Sequence, residues 1–227
     1  NTLSLAGNFL YMLHGKAPDP EDTRIFDVCL ILHAEHGMNA STFAAMVTIS
    51  TLADLYSAVV TGINTLKGPL HGGANEQVIR MLQEIGSIDN VPSWLEKAFA
   101  EKRKIMGFGH RVYKAYDPRC SILKEYARTL SVKHGDTTWF EMGNLIEKIM
   151  IERYAQKRVY PNVDFYSGIV YHFLGIPVDQ FTPIFAMARV SGWTARCMEY
   201  LEDNRLFRPL DLYVGEIDLP YIPIDQR

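Results

Sequence analysis

The sequence predicts an all-α protein, and three observations point that way. Apolar residues recur at helical spacing, as in Ala74, Val78, Met81, Leu82 and Ile85. No run alternates convincingly with the period of two that a half-buried strand requires. Helix-start chemistry also recurs along the chain, with prolines and acidic or hydroxyl residues at first turns. Asp19-Pro20-Glu21-Asp22 opens a helix that runs into the His33 region. Two closely spaced helices follow across roughly 40–63, and another starts just after Gly72-Gly73. Ser93-Trp94-Leu95-Glu96 reads as a capping box opening a further helix, with the charged 96–104 stretch as its solvated face. Residues 117–131, 137–156, 163–174 and 179–202 complete the set. Turns rich in glycine or proline at 67–73, 105–111, 159–162 and 175–183 carry most of the side chains able to do chemistry.

At 227 residues the chain can form one large domain or two small ones with a sizeable core. Its net charge of −3 and the lack of a dense basic run exclude a nucleic-acid footprint. Three cysteines, Cys29, Cys120 and Cys197, are odd in number and show no paired spacing. They read as reduced thiols of a cytosol-like compartment, and a cytoplasmic location is expected. The opening stretch has neither a basic n-region nor a clear cleavage site, so no signal peptide is expected there. Between Gly37 and Leu66 the only charged residue is Asp54, superficially like a membrane span. Ser41, Thr42, Thr48, Ser50, Thr51, Ser57 and Thr61 are among the residues that interrupt that stretch, and small residues such as Ala44, Ala45, Ala53 and Ala58 permit close packing. A buried or subunit-interface helix pair is the better reading.

Two histidines stand among glycines, in Gly68-Pro69-Leu70-His71-Gly72-Gly73 and Gly107-Phe108-Gly109-His110-Arg111, and Pro161-Asn162-Val163-Asp164 follows. Glycine lets backbone and ligand approach a neighbouring imidazole closely. Two imidazoles and a carboxylate suffice for acid–base chemistry on a carbonyl compound, each contributing roughly 10²–10⁴-fold. Taken singly, His71 and His110 also read as structural turn residues, and Asp164 as a helix N-cap. His33 and His36, three residues apart, would suit a metal pair, but no third ligand stands at convincing spacing, so no metal is expected. His14, His134 and His172 read as surface or packing residues. Arg153, Arg158, Arg196 and Arg205 read as surface charges or ion pairs, and Arg111 and Lys114 as solvated charges or ligand contacts.

Together these segments resemble the citrate synthase family. The resemblance rests on Gly68-Pro69-Leu70-His71-Gly72-Gly73-Ala74-Asn75, on Gly107 to Lys114, on Asp117-Pro118-Arg119 and on Pro161 to Gly168. His33-Ala34-Glu35-His36-Gly37-Met38-Asn39 and Arg208 to Gly215 extend it. It implies an all-α, two-domain fold. Residues 1–72 and 183–227 would form the carboxy-terminal part of a large helical domain, with the family's amino-terminal segment preceding it, and 73–182 a small inserted domain. It also implies a transferase of the tricarboxylic acid cycle that condenses acetyl-CoA with oxaloacetate to give citrate and CoA. No permanently bound cofactor is expected, the CoA thioester being a substrate.

On this resemblance Asp164 is the base that removes a methyl proton. His71, as a neutral imidazole whose other nitrogen the protein satisfies, donates to the thioester oxygen, and His110 polarises the ketone. His36, His71, His110, Arg119, Arg189 and Arg208 would bind the dicarboxylate, with Arg208 reaching into the partner of a homodimer. The loop Lys104, Ile105, Met106, Gly107, Phe108 and Gly109 would meet CoA, as would Lys157. A hinge is expected near Gly72 and Gly73. The alternatives are a 2-methylcitrate synthase using propionyl-CoA and, in another class, an inactive helical fragment or interaction module.

Overall fold

The computed structural model describes residues 2–109 and 115–227. It is built from α1 (Leu5–His14), α2 (Pro20–Ala34), α3 (Ala40–Ser50), α4 (Leu55–Leu66), α5 (Ala74–Ile85), α6 (Val91–Ala100), α7 (Pro118–His134), α8 (Thr138–Tyr154), α9 (Val163–Phe173) and α10 (Phe181–Leu201). The described residues contain no strand, only an isolated bridge between Phe108 and Pro161. The all-α expectation holds.

Local chemistry sets most helix starts. Asp19 caps α2 by accepting from the backbone N–H groups of Glu21 and Asp22, at 2.9 and 3.1 Å, and Pro20 occupies the first position. Asp54 caps α4 and Asp117 caps α7, again with a proline first in α7. Such side chains satisfy donors that the first helical turn leaves without partners. Two starts differ from expectation. The helix expected at Ser93 begins at Val91, after a 3₁₀ turn over Ile88–Asn90, and ends at Ala100. Ser93 lies inside it, its hydroxyl donating 3.0 Å to the Asn90 carbonyl. Asn162, not Asp164, caps α9, accepting 3.0 Å from the Asp164 N–H. The sequence also gave no separate signal for α1, which Ser4 caps and Gly15 closes at φ 67°.

Packing is organised around two helices. Every residue of α9 from Val163 to Tyr171 is buried, so it has no solvent face and no amphipathic pattern to read. Helices α5, α7 and α8 pack around it. Gly168 permits the closest approach, since a Cβ there would lie 2.9 Å from the Asn75 carbonyl of α5. This larger core runs through α1, α2, α5 to α9 and the start of α10. A second cluster joins Ala45 and Ile49 of α3, Ala58 and Leu66 of α4, and Phe185, Trp193 and Cys197 of α10. Helix α10 packs on α2, α3 and α4 as well as touching α5, and so bridges the two clusters.

The stretch between Gly37 and Leu66 therefore forms a helix pair with a buried inner face. Its outer face exposes Phe43, Leu52, Tyr56, Val60 and Ile63. Among the described residues no helix is long and apolar enough to cross a membrane. After Leu201 the chain carries no further α-helix, only a 3₁₀ turn over Ile224–Gln226, and Leu210, Leu212, Val214, Ile217 and Ile224 are all exposed.

Candidate active site

Helix starts and turns bring most of the predicted residues to one place. Asp164 sits in the first turn of α9, 9% exposed, and its Oδ1 has no hydrogen-bond partner among the described residues. Burial pushes its carboxyl up to about 7, against the opposing pull of Arg119 and Arg189. A carboxylate so placed has lost its hydration without gaining a partner, which makes it a stronger base than an exposed aspartate.

Arg189, on α10, is buried, and its Nε donates 2.6 Å to the His33 carbonyl at the end of α2. Its guanidinium lies 4.7 Å from the centre of the Phe185 ring. Burial, then the nearby charge of Arg119, holds Arg189 down at about 10. Arg119, in the first turn of α7, is aimed by Asp117. That carboxylate accepts from the Arg119 backbone N–H at 3.0 Å, from Nε at 3.1 Å and from Nη2 at 2.8 Å. The charges of two guanidinium groups thus act on one buried carboxyl, a field suited to a doubly charged anion.

His71 lies in the turn before α5, and both its contacts come from the start of α3. Its Nε2 stands 2.9 Å from the Ser41 hydroxyl and accepts from the Ser41 backbone N–H at 3.3 Å. A backbone N–H can only donate, so Nε2 presents a lone pair and the ring proton resides on Nδ1. Burial and the charge of Arg189 lower the ring to about 4, so it is neutral at physiological pH. The Ser41 hydroxyl is itself held at 2.8 Å by Asn39 and at 3.1 Å by the indole N–H of the fully buried Trp193. The ring is therefore neutral, with one nitrogen satisfied by the protein.

The loop over Lys104 to Gly109 is strapped to the start of α9. The Asn162 N–H donates 2.9 Å to the Gly107 carbonyl, its side-chain amide 2.9 Å to the Gly109 carbonyl, and the Gly109 N–H 2.9 Å to the Tyr160 carbonyl. Gly107 has a φ of 77°, and a Cβ there would fall 2.8 Å from the Phe165 ring, so glycine is required on both counts. Ile105 and Phe108 are buried, while Lys104 is exposed and its charge is felt by Asp164. His110, predicted to polarise a ketone, lies outside the described residues, as do Arg111 and Lys114.

The other predicted site residues lie on turns and on the tail. His36 is half-buried in the turn between α2 and α3. Lys157 is exposed, its ammonium 5.6 Å from the Tyr154 ring centre. Arg208 lies on the tail, exposed, and donates 2.5 Å to the neighbouring Pro209 carbonyl. The His14 Nε2–H donates 2.9 Å to the Leu174 carbonyl. Arg153 and Arg196 form the surface ion pairs expected of them.

The contacts of several contributors were not readable from sequence. Ser41 and Asn162 hold His71 and the loop through contacts that span 30 and 53 positions. His33 is fully buried, its Nδ1 2.7 Å from the Cys29 carbonyl and its Nε2 without a partner among the described residues. Burial lowers it to about 4. It is the second-last residue of α2, and in the sequence it stood out only beside His36, as a possible metal pair and as part of a resembling segment.

Comparison with known proteins decides the family. The profile described as "Citrate synthase, C-terminal domain" matches residues 1–210. The chain belongs to the citrate synthase family. A citrate synthase from Synechocystis is 55% identical over 99% of this chain, and one from Deinococcus radiodurans 54% identical over 99%. The chain spans 57% and 60% of the length of those two proteins. Among solved structures, citrate synthase from Thermoplasma acidophilum in ternary complex with carboxymethyl coenzyme A and oxaloacetate aligns with a TM-score of 0.93. The two chains are 40% identical, and the match covers all of this chain and 61% of that one.

Proposed function

We propose that this chain carries the catalytic centre for condensing acetyl-CoA with oxaloacetate and water to give citrate and CoA. One observation carries the proposal: a buried carboxyl with an unpartnered oxygen, Asp164, faces two guanidinium groups near a neutral histidine. A thioester methyl is a weak acid, so its proton must be taken as charge develops on the thioester oxygen. Asp164, raised to about 7, is a better base than an ordinary carboxylate and is still substantially ionised at neutral pH. The Nδ1–H of His71 donates to the enolate oxygen, which a neutral imidazole does without surrendering its proton outright. The enolate carbon attacks the ketone of oxaloacetate, and the new alkoxide takes a proton from His110. Water then cleaves the citryl thioester, releasing citrate and CoA as the free thiol.

Arg119 and Arg189 would grip the carboxylates of oxaloacetate, with His36 and the partner's copy of Arg208 completing the site. Exposed apolar side chains on α3 and α4 and along the tail support a homodimer in which this tail leaves its own subunit. The Lys104 to Gly109 loop and Lys157 would hold CoA. Residues 73–182 would rotate as a small domain against 1–72 and 183–227. The two chain crossings between these parts touch, since the Thr182 hydroxyl donates 3.4 Å to the Gly72 carbonyl. Adjacent crossings favour a single hinge there, and closure would exclude water from the enolate. A cytoplasmic location fits the three free cysteines.

The test is thiol release by the full-length protein with oxaloacetate and acetyl-CoA, run in parallel with propionyl-CoA. Release with acetyl-CoA, lost in Asp164→Asn while oxaloacetate still binds, is the expected result. Preferential release with propionyl-CoA would reassign the acyl substrate, and no release with either would refute the proposal. A heterodimer in which Arg208→Ala on one subunit impairs the other subunit's site tests the shared site. Identical small-angle scattering with and without oxaloacetate would argue against closure.

A further inference from the structure

The buried carboxylate of Glu147, in the middle of α8, does no chemistry in the reaction described. It is 5% exposed and accepts three hydrogen bonds from two other helical segments. Its Oε1 takes the Tyr116 hydroxyl at 2.8 Å, and its Oε2 takes the Lys124 ammonium at 2.8 Å together with the Tyr166 hydroxyl. Withdrawing a carboxylate from water costs several kcal/mol, and an apolar side chain would fill this space at lower cost. What the charge supplies instead is direction. Its donors sit at two informative points of the chain.

Tyr116 immediately precedes Asp117, the residue that caps α7 and clamps the Arg119 guanidinium. Lys124 holds the same helix from its second turn. Tyr166 is two residues beyond Asp164 on α9, about 200° round the helix, so anchoring one turns the other toward the cleft. We propose that Glu147 is a positioning residue that sets the spacing between the oxaloacetate-gripping Arg119 and the base Asp164. One carboxylate ties α8 to the first turns of the two helices whose ends carry these groups, and it approaches both from behind the cleft. The Lys124 ammonium, 5.6 Å from the Tyr166 ring centre, closes the network from the α7 side. All three donors are engaged, so the bridge holds a single geometry. Burial raises the hydroxyls of both tyrosines far above their ordinary range, so they remain donors at any working pH.

This inference rests on the proposed reaction, and its test separates the two. In the full-length protein, Glu147→Gln keeps the volume but removes the charge that orders the three donors. It should weaken oxaloacetate binding about tenfold by calorimetry and lower kcat by about tenfold, since small misplacements of reacting groups cost factors of this size and larger. Tyr116→Phe should weaken oxaloacetate binding with little change in kcat. Tyr166→Phe should lower kcat with little change in binding. That split is what a merely stabilising network would not produce. Variants that melt earlier but keep binding and kcat within twofold in the folded protein would overturn the proposal. Should Glu147→Gln fail to fold, the two phenylalanine variants decide the matter by the same criterion. A wild-type protein that binds oxaloacetate but releases no thiol would sink the proposed reaction alone, because oxaloacetate binding by Tyr116→Phe still tests the bridge.

Discussion

Replacing Asp164 by asparagine should make the protein more stable while removing its activity, and the gain should grow with pH. The folded-state carboxyl is held up at about 7, against an ordinary value of 3.8. Between those values the folded chain retains a proton that the unfolded chain releases. Stability is therefore lost as pH rises from the unfolded value through the folded one. For one such group the loss is about 1.5 kcal/mol at pH 5 and about 4 kcal/mol at pH 8, an upper bound that relaxation and water entry reduce. Asparagine does not ionise, so the variant escapes this penalty. Any fixed cost of an unpartnered amide is the same at both pH values and cancels from the comparison. The difference in stability between Asp164→Asn and wild type should grow by about 2.5 kcal/mol from pH 5 to pH 8, or roughly 5–10 °C in Tm. Thermal unfolding followed by circular dichroism at the two pH values measures it. A difference that does not change with pH would mean that the carboxyl ionises in the folded state as it does in water. The argument for a base stripped of its partners would then fail.

His33 should act in the opposite direction. It is held neutral down to about 4, so stability is lost as pH falls from the unfolded value of 6.5 through 4. Wild type should lose about 2 kcal/mol between pH 7 and pH 4.5 that His33→Gln does not lose, read from urea unfolding. Gly192→Ala would place a Cβ 2.3 Å from the Ala34 carbonyl, forcing α10 away from α2 one turn beyond Arg189. Roughly 1–3 kcal/mol of destabilisation and weaker oxaloacetate binding are expected, by thermal melts and calorimetry. Ser41→Ala removes the hydroxyl between His71, Asn39 and Trp193 but keeps the backbone donor. It should lower kcat about tenfold and leave oxaloacetate affinity near wild type.

The helices were legible where their ends carry strong local chemistry. Asp19-Pro20 and Asp117-Pro118 announced α2 and α7, because an acidic cap followed by proline is consistent with little else. The start of α6 was misplaced because Ser93 and Asn90 both offer capping chemistry, and only the preceding 3₁₀ turn favours the earlier start. At Asp164 the same ambiguity concealed something useful. Since Asn162 supplies the cap, the aspartate's Oδ1 is left without a hydrogen-bond partner among the described residues. His71, Asp164 and Arg119 stood in quoted motifs, and Arg189 was named only through the family resemblance. Ser41 and Glu147 were not, because a serine after an asparagine cap and a glutamate in a charged helix look ordinary until distant segments are brought to them.

The complete enclosure of α9 bears on how this molecule breathes. A helix with no solvent face cannot fray from its surface, and its amides exchange with deuterium only when the surrounding helices separate. Asp164, the proposed base, is thus mounted on the segment expected to exchange last. The tail bearing Arg208 should exchange almost at once. The proposed site would join the slowest and the fastest parts of the chain, so a substrate that orders the tail would be visible as protection at Arg208 with no change at Asp164.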